Sequence, residues 1–190
     1  IDPNNPNWNE RDRFLLSKGH ASAMLYATLA KRGFFPEEDL QKWGELDCHL
    51  QGHPDRLKTP GVDMNSGILG HGVSIGVGLC LAARQKRKDF RVYTLLGDGE
   101  CQAGLVWEGA NAAAKYALTN LVAIVDHNAV QLDGFVEEVM PIEPLAEKWR
   151  SFGWDVLEVD GHDVDQLYQA FLQCIEAQKK PTVIIARTIK

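Results

Sequence analysis

Phe90-Arg91-Val92-Tyr93-Thr94-Leu95-Leu96-Gly97-Asp98-Gly99-Glu100 is the stretch that decides the fold. Its first seven residues form a mostly apolar run of strand length closed by a turn signal, and they read as a buried strand. Gly97-Asp98-Gly99 then sets a carboxylate where a parallel strand ends and the crevice of an α/β sheet opens. Asn120-Leu121-Val122-Ala123-Ile124-Val125-Asp126 reads as a second strand, and Asn128 falls just past its end. Alone, Gly-Asp-Gly is an ordinary turn, with glycines free to take positive φ and the aspartate bonding its own backbone. Here a helix containing Trp107-Glu108-Gly109-Ala110 and then the second strand follow it. Two strand ends therefore offer hard oxygens: the Asp98 carboxylate, the Asn128 side-chain carbonyl and the backbone carbonyl of Val130. That set suits Mg2+, or Ca2+ or Mn2+ in its place, with phosphate oxygens and water completing the shell.

Outward from this centre, strands alternate with helices. Val73 to Arg84 and Leu105 to Tyr116 read as small-residue helices. Pro144 opens another that ends near Gly153, and Trp154 to Val159 reads as a strand. Asp163 is placed to cap the next helix, with Gln166 set for a capping box and Leu167, Phe171, Cys174 and Ile175 as its buried face. Thr182 to Ala186 reads as the last strand. Towards the start, Ala21, Met24, Leu25, Thr28 and Leu29 recur at helical spacing between His20 and Lys31, and Gly33 closes that helix. Pro36-Glu37-Glu38 begins a short second helix, and Gln51 to Gly70 is loop. The pattern predicts one domain over residues 1–190, a doubly wound, mainly parallel sheet with helices on both faces and ligands at the carboxyl ends of its strands.

A chain of 190 residues that is 45% hydrophobic suffices for one well-buried core and is short for two large ones. Net charge is −6 and the longest basic run is Gln85-Lys86-Arg87-Lys88, so no electrostatic footprint for nucleic acid is present. Cys48, Cys80, Cys101 and Cys174 lack zinc-finger or CxxC spacing and read as reduced thiols of a cytoplasmic protein. No apolar run is long enough to span a bilayer. Neither end reads as natural: Ile1-Asp2-Pro3-Asn4-Asn5-Pro6 begins mid-loop and Thr188-Ile189-Lys190 stops as a strand ends, so trimming at both ends is expected.

Several separated motifs carry a family likeness. They are Asn7-Trp8-Asn9-Glu10-Arg11-Asp12-Arg13-Phe14, Ser17-Lys18-Gly19-His20-Ala21, Gly52-His53-Pro54 and Gly67-Ile68-Leu69-Gly70-His71-Gly72, with Gly97-Asp98-Gly99 and Asn128, then Phe152-Gly153-Trp154 and Asp160-Gly161-His162. Together they resemble the thiamine-diphosphate-binding, N-terminal half of a transketolase, and Ser-Lys-Gly-His and Gly-His-Gly look like the split type. The resemblance implies transfer of a two-carbon ketol unit from a ketose, or its phosphate, to an aldehyde acceptor. It implies thiamine diphosphate with Mg2+ held by Asp98, Asn128 and Val130, and Gly97 and Gly99 letting backbone approach the diphosphate. Gly67 and Leu69 would lie against the cofactor, their glycine-rich turn offering unpaired helix-start N–H groups to an anion. His20 and His53 match histidines of the sugar-side channel, His71 a cofactor-side polar contact, and Glu108 a buried acid of the subunit interface.

The family's activating glutamate belongs to a pyrimidine-binding domain. A partner subunit carrying that domain is therefore implied, in a dimer or heterotetramer, with the chain inactive alone. Family members also carry a Ser-Gly-His-Pro element ahead of this region and a histidine-bearing segment after it. Ala103 departs from the family, whose Gln-Glu-Gly has glutamate at that place; a non-catalytic paralogue is thus an alternative. A deoxyxylulose-phosphate synthase or 2-oxoacid dehydrogenase subunit, which share the metal motif, is another.

Overall fold

In the computed structural model, which describes residues 2–176 and 179–190, the two strands around Asp98 form where the apolar runs place them. Ile1, the start of the mid-loop reading, lies outside those residues. The elements are β1 (Arg13–Leu16), α1 (Ser22–Lys31), α2 (His71–Gln85), β2 (Val92–Gly97), α3 (Gly104–Lys115) and β3 (Leu121–His127). A small hairpin, β4 (Val130–Gln131) and β5 (Gly134–Phe135), leads to a single turn, α4 (Val136–Val139). Then come α5 (Leu145–Ser151), β6 (Asp155–Asp160), α6 (Val164–Glu176) and β7 (Thr182–Arg187).

Five strands make one parallel sheet in the order β1-β2-β3-β7-β6. Alternate residues of the central strands serve opposite faces. Leu121, Ala123 and Val125 of β3, with Val183 and Ile185 of β7, face a large core shared with α2, α3 and α5. Val122 and Ile184 turn the other way, onto Ala170 and Cys174 of α6. Leu16 joins Leu25, Tyr26 and Leu29 under α1. Helices thus cover both faces, which is why β3 and β7 read as continuous apolar runs. Trp149 and Trp154 stack edge-on at 4.8 Å inside the α5 core, with Trp107 at 5.1 Å from Trp149. Trp107 is a core residue, and its indole N–H donates to the Cys101 carbonyl at 2.9 Å.

Local expectations fail in instructive ways. The buried stripe of α1 is Ser22, Leu25, Tyr26, Leu29 and Ala30, while Met24 and Thr28 face out. Ser22 and Tyr26 are drawn inward because their hydroxyls donate to the carbonyls of Gly52 and Gln51, each at 2.8 Å, fastening the long loop over the helix. The segment after Pro36 is a 3-10 helix, Glu37–Lys42. Asp163 does cap α6, accepting from the Gln166 N–H at 3.1 Å. Gln166 does not close the reciprocal box; its amide N–H2 donates to the Asp163 carboxylate and its oxygen accepts from the Asp160 N–H. Ile175 is exposed and Leu167 half-buried, so that helix packs through Ala170, Phe171 and Cys174.

All four cysteines are free. Burial pushes the Cys80 thiol up to about 12 and that of Cys174 to about 11, which leaves both as inert core thiols. No helix among the described residues is long and apolar enough to cross a membrane.

Candidate functional site

Parallel pairing brings the carboxyl ends of β1, β2, β3 and β7 side by side, and each is followed at once by a polar residue. Lys18, Asp98, Asp126, Asn128 and Thr188 therefore converge on one cavity of about 710 Å3, whose wall also includes His20, Leu69, Gly97, Gly99 and Val130.

Asp98 is 1% exposed. One carboxylate oxygen accepts from the Gly99 N–H at 2.7 Å and the other from the Ala129 N–H at 2.6 Å, which ties the end of β2 to the turn after β3. No cationic side chain among the described residues pairs with it, so a buried charge is met only by amides, a state that a cation relieves. Asn128 has its side-chain oxygen accepting from the Val130 N–H at 3.0 Å and its N–H2 donating to Asp126 at 2.8 Å. Carboxylate and amide oxygens each keep lone pairs beyond these bonds. The donors present, one carboxylate, one amide oxygen and the backbone at Val130, fit a hard divalent ion that shares its shell with a diphosphate. Among the described residues no three His, Cys, Asp or Glu side chains cluster to cage a metal by themselves.

Neither Gly97 nor Gly99 takes positive φ. Gly99 instead allows close approach: a Cβ there would stand 3.0 Å from Cβ of Gln131. Gln131 in turn accepts from Gln102 at 2.5 Å, so this loop is braced by the hairpin.

At the helix start beyond Gly67-Ile68-Leu69-Gly70, two N–H groups are already taken within the chain. Gly70, at φ +87°, donates its N–H to Glu100 at 2.7 Å, and Gly72 donates to the Ser17 hydroxyl at 3.1 Å. Ser17 also donates to Glu100, whose second oxygen accepts from the Gly97 N–H at 3.1 Å. The anion at this helix N-terminus is the chain's own carboxylate. Burial pushes the Glu100 carboxyl above the ordinary carboxylate range, against the pull of its donors.

The histidines separate. His20 lines the cavity, while His53 is off its wall, exposed beside Gly19 and Gly67. Burial, then Lys18, Lys190 and His53, hold the His20 imidazole below its ordinary 6.5, with Asp126 pulling the other way. The neutral ring is therefore the folded form at pH 7. The stability it contributes is complete above 6.5 and is lost as pH falls through the lower folded value. NMR titration of 13C-labelled histidine is expected to give His20 a midpoint below 6.5; a midpoint at or above it contradicts this environment.

His71 is not brought to the cavity. Its Nδ1 faces the Leu69 carbonyl at 3.3 Å, because it occupies the first position of α2 and points back along the turn. Glu108 does not line the cavity either; it is exposed on α3, on the surface of this chain. Gly67 borders His53, and Leu69 alone of that turn reaches the wall.

Among the polar residues of the wall to which the sequence assigns no role are Lys18, Asp126 and Thr188. Lys18 and Thr188 both donate to the Asp126 carboxylate. Burial raises that carboxyl, but these donors and Asn128 outweigh it and hold it below the usual carboxylate range. His162 fixes the last strand end, its Nε2 accepting from the Ile189 N–H at 3.0 Å. Lys18 lies inside a quoted motif and Asp126 at a strand end, so strand-end polarity is the signal that could have found them.

The model of the transketolase thiamine diphosphate binding domain matches residues 1–190. A 6-deoxy-6-sulfo-D-fructose transketolase subunit of Clostridium sp. (strain MSTE9) is 45% identical over 190 residues, all of this chain and 69% of that protein. An apulose-4-phosphate transketolase subunit of Phocaeicola vulgatus is 43% identical, over 99% of this chain and 66% of that protein. The chain thus spans about two thirds of these relatives. Among solved structures, a transketolase of Campylobacter jejuni superposes with TM-score 0.92 at 35% identity, over 98% of this chain and 30% of that one. A Pichia stipitis transketolase in complex with xylulose 5-phosphate gives 0.95 at 33% identity, over 99% and 30%.

Proposed function

The chain belongs to the transketolase family, as its thiamine diphosphate binding domain, and from this we propose that it is the diphosphate-holding half of a split enzyme that transfers two-carbon ketol units. The observation that carries the reading is the buried Asp98 carboxylate, met only by amide donors, beside the Asn128 amide on the wall of the 710 Å3 cavity. In this reading Asp98, Asn128 and the Val130 carbonyl hold Mg2+, and through it the diphosphate.

Thiamine diphosphate supplies the carbanion-stabilising chemistry when bound. The chain's own residues bind and orient. Gly97 and Gly99 keep side-chain bulk away from the metal loop, and Leu69 offers an apolar contact. Neutral His20 presents a donor and an acceptor to substrate oxygens at neutral pH, and His53 acts beside it as a second ring at the channel. His71 and Glu108 take no part within this chain; Glu108 is free to meet a partner surface.

The relatives named as subunits support a separate partner; in this reading it carries the pyrimidine-binding domain, in a dimer or heterotetramer. The substrates are a ketose or ketose phosphate and an aldehyde, and the reaction belongs to carbohydrate metabolism in the cytoplasm.

The test is reconstitution of the full-length protein with a pyrimidine-domain partner, thiamine diphosphate and Mg2+. Ketol transfer from xylulose 5-phosphate is expected from the mixture and not from either component. Transfer without the partner overturns the half-site reading, and a product formed from pyruvate instead points to another thiamine enzyme.

A further inference from the structure

We propose that Asp126, held by Lys18 and Thr188, is a positioning residue that fixes which atom of the Asn128 amide faces the metal. The inference rests on the metal-site reading above and adds a residue to it. Asn128 sits between a donor and an acceptor: the Val130 N–H gives to one end of its amide and the Asp126 carboxylate takes from the other. Only one orientation of the amide satisfies both. Turned over, its carbonyl would oppose a carboxylate and its N–H2 would oppose an N–H, losing two bonds and adding two repulsions. The surviving orientation keeps N–H2 on Asp126 and leaves the oxygen, the one atom able to ligate, with a spare lone pair.

Asp126 does this only because it is itself immobilised. Lys18 from the end of β1 donates to the oxygen that also takes Asn128, and Thr188 from the end of β7 donates to the other oxygen. Side chains that follow two other strands of the sheet, β1 and β7, thus fix one carboxylate of β3. The Lys18 side chain is only 12% exposed and its charge balances that of Asp126, so the pair brings orientation without adding net charge beside the ion. Outer contacts of this kind set ligand orientation at metal sites, and their loss costs roughly 10- to 100-fold in metal affinity.

The role is orientation through an acceptor oxygen, which separates two substitutions. Asp126→Ala removes the acceptor. Asp126→Asn keeps one acceptor oxygen for Asn128 and Lys18, and its own N–H2 can donate to the Thr188 hydroxyl. Mg2+ dissociation constants would be measured by calorimetry on the full-length protein in complex with its partner at saturating thiamine diphosphate, with melting curves beside them. Expected are an Asp126→Ala value weaker by about 10- to 100-fold and an Asp126→Asn value within about threefold of the parent.

Equal weakening in both variants overturns the proposal in favour of a simple charge effect, and no weakening in either overturns it outright. If Asp126→Ala does not fold, Thr188→Val takes its place, with a severalfold weaker Mg2+ constant expected and an unchanged one overturning. An Asp98→Ala control keeps the two readings apart: unchanged Mg2+ affinity there removes the metal site itself, whereas loss there with a parental Asp126→Ala removes only the positioning role.

Discussion

Replacing Asp98 by alanine is expected to abolish saturable Mg2+ binding at any practical concentration, and ketol transfer with it. Of the three donors assigned to the ion, Asn128 and Val130 bring neutral oxygens and Asp98 the only formal charge. A hard divalent cation that dehydrates reluctantly needs that charge to hold it at a protein site. The loss should therefore exceed the roughly 100-fold that removal of an outer contact produces, while Asn128→Ala, which deletes one neutral ligand, should fall short of it. Alanine also leaves the Gly99 and Ala129 N–H groups without their acceptor. Each such loss costs at most about 1–3 kcal/mol, and the cavity beside them lets water substitute, so the variant should remain folded. Calorimetric Mg2+ titration at saturating thiamine diphosphate, with a melting curve to confirm folding, decides the matter. A constant within threefold of the parent would sink the assignment of Asp98 as a ligand.

The parts of this site that are legible in the sequence share a physical reason. β2, β3 and β7 are covered on both faces, so they are written as mostly apolar runs, and glycine or a polar residue punctuates their ends. Asp98 and Asn128 stand at those ends. β1 is four residues at the sheet's edge, Arg13–Leu16, too short and too mixed to declare itself. The two-residue strands of the hairpin are shorter still. The face of α1 departs from its apolar spacing because hydrophobicity does not show that Ser22 and Tyr26 bury their hydroxyls on the carbonyls of a loop more than 20 residues away. The glycine-rich turn before α2 reads as an open anion site, and for the same reason the sequence does not show that the Gly70 and Gly72 N–H groups are already engaged. The anion it holds is Glu100, 30 residues from Gly70 and 83 from Ser17, and no local pattern announces a partner at that distance.

Glu100→Ala is expected to cost about 3–5 kcal/mol of folding stability, a large share of the roughly 5–15 kcal/mol a domain holds. This carboxylate, 4% exposed, joins three elements: Ser17 at the end of β1, Gly70 at the start of α2 and Gly97 at the end of β2. Its removal strands two backbone N–H groups and one hydroxyl in the interior, each worth about 1–3 kcal/mol when unpaired, less for the hydroxyl, which can rotate. At about 2–4 °C per kcal/mol for a chain of this size, melting should fall by about 6–20 °C.

Glu100→Gln tests the same clamp more sharply. Its one carbonyl oxygen can still serve Ser17 and Gly70, but its N–H2 then opposes the Gly97 N–H, so a loss of about 1–3 kcal/mol is expected, between alanine and the parent. Three converging donors call for a group that only accepts, and among neutral and charged side chains of this length only the ionised carboxylate meets that condition. If Glu100 instead contacted a bound diphosphate or metal, glutamine would leave the melting temperature alone and weaken Mg2+ binding. Thermal denaturation and Mg2+ titration of the same two variants therefore separate a clamp on the fold from a contact in the site, and a glutamine variant as stable as the parent refutes the clamp.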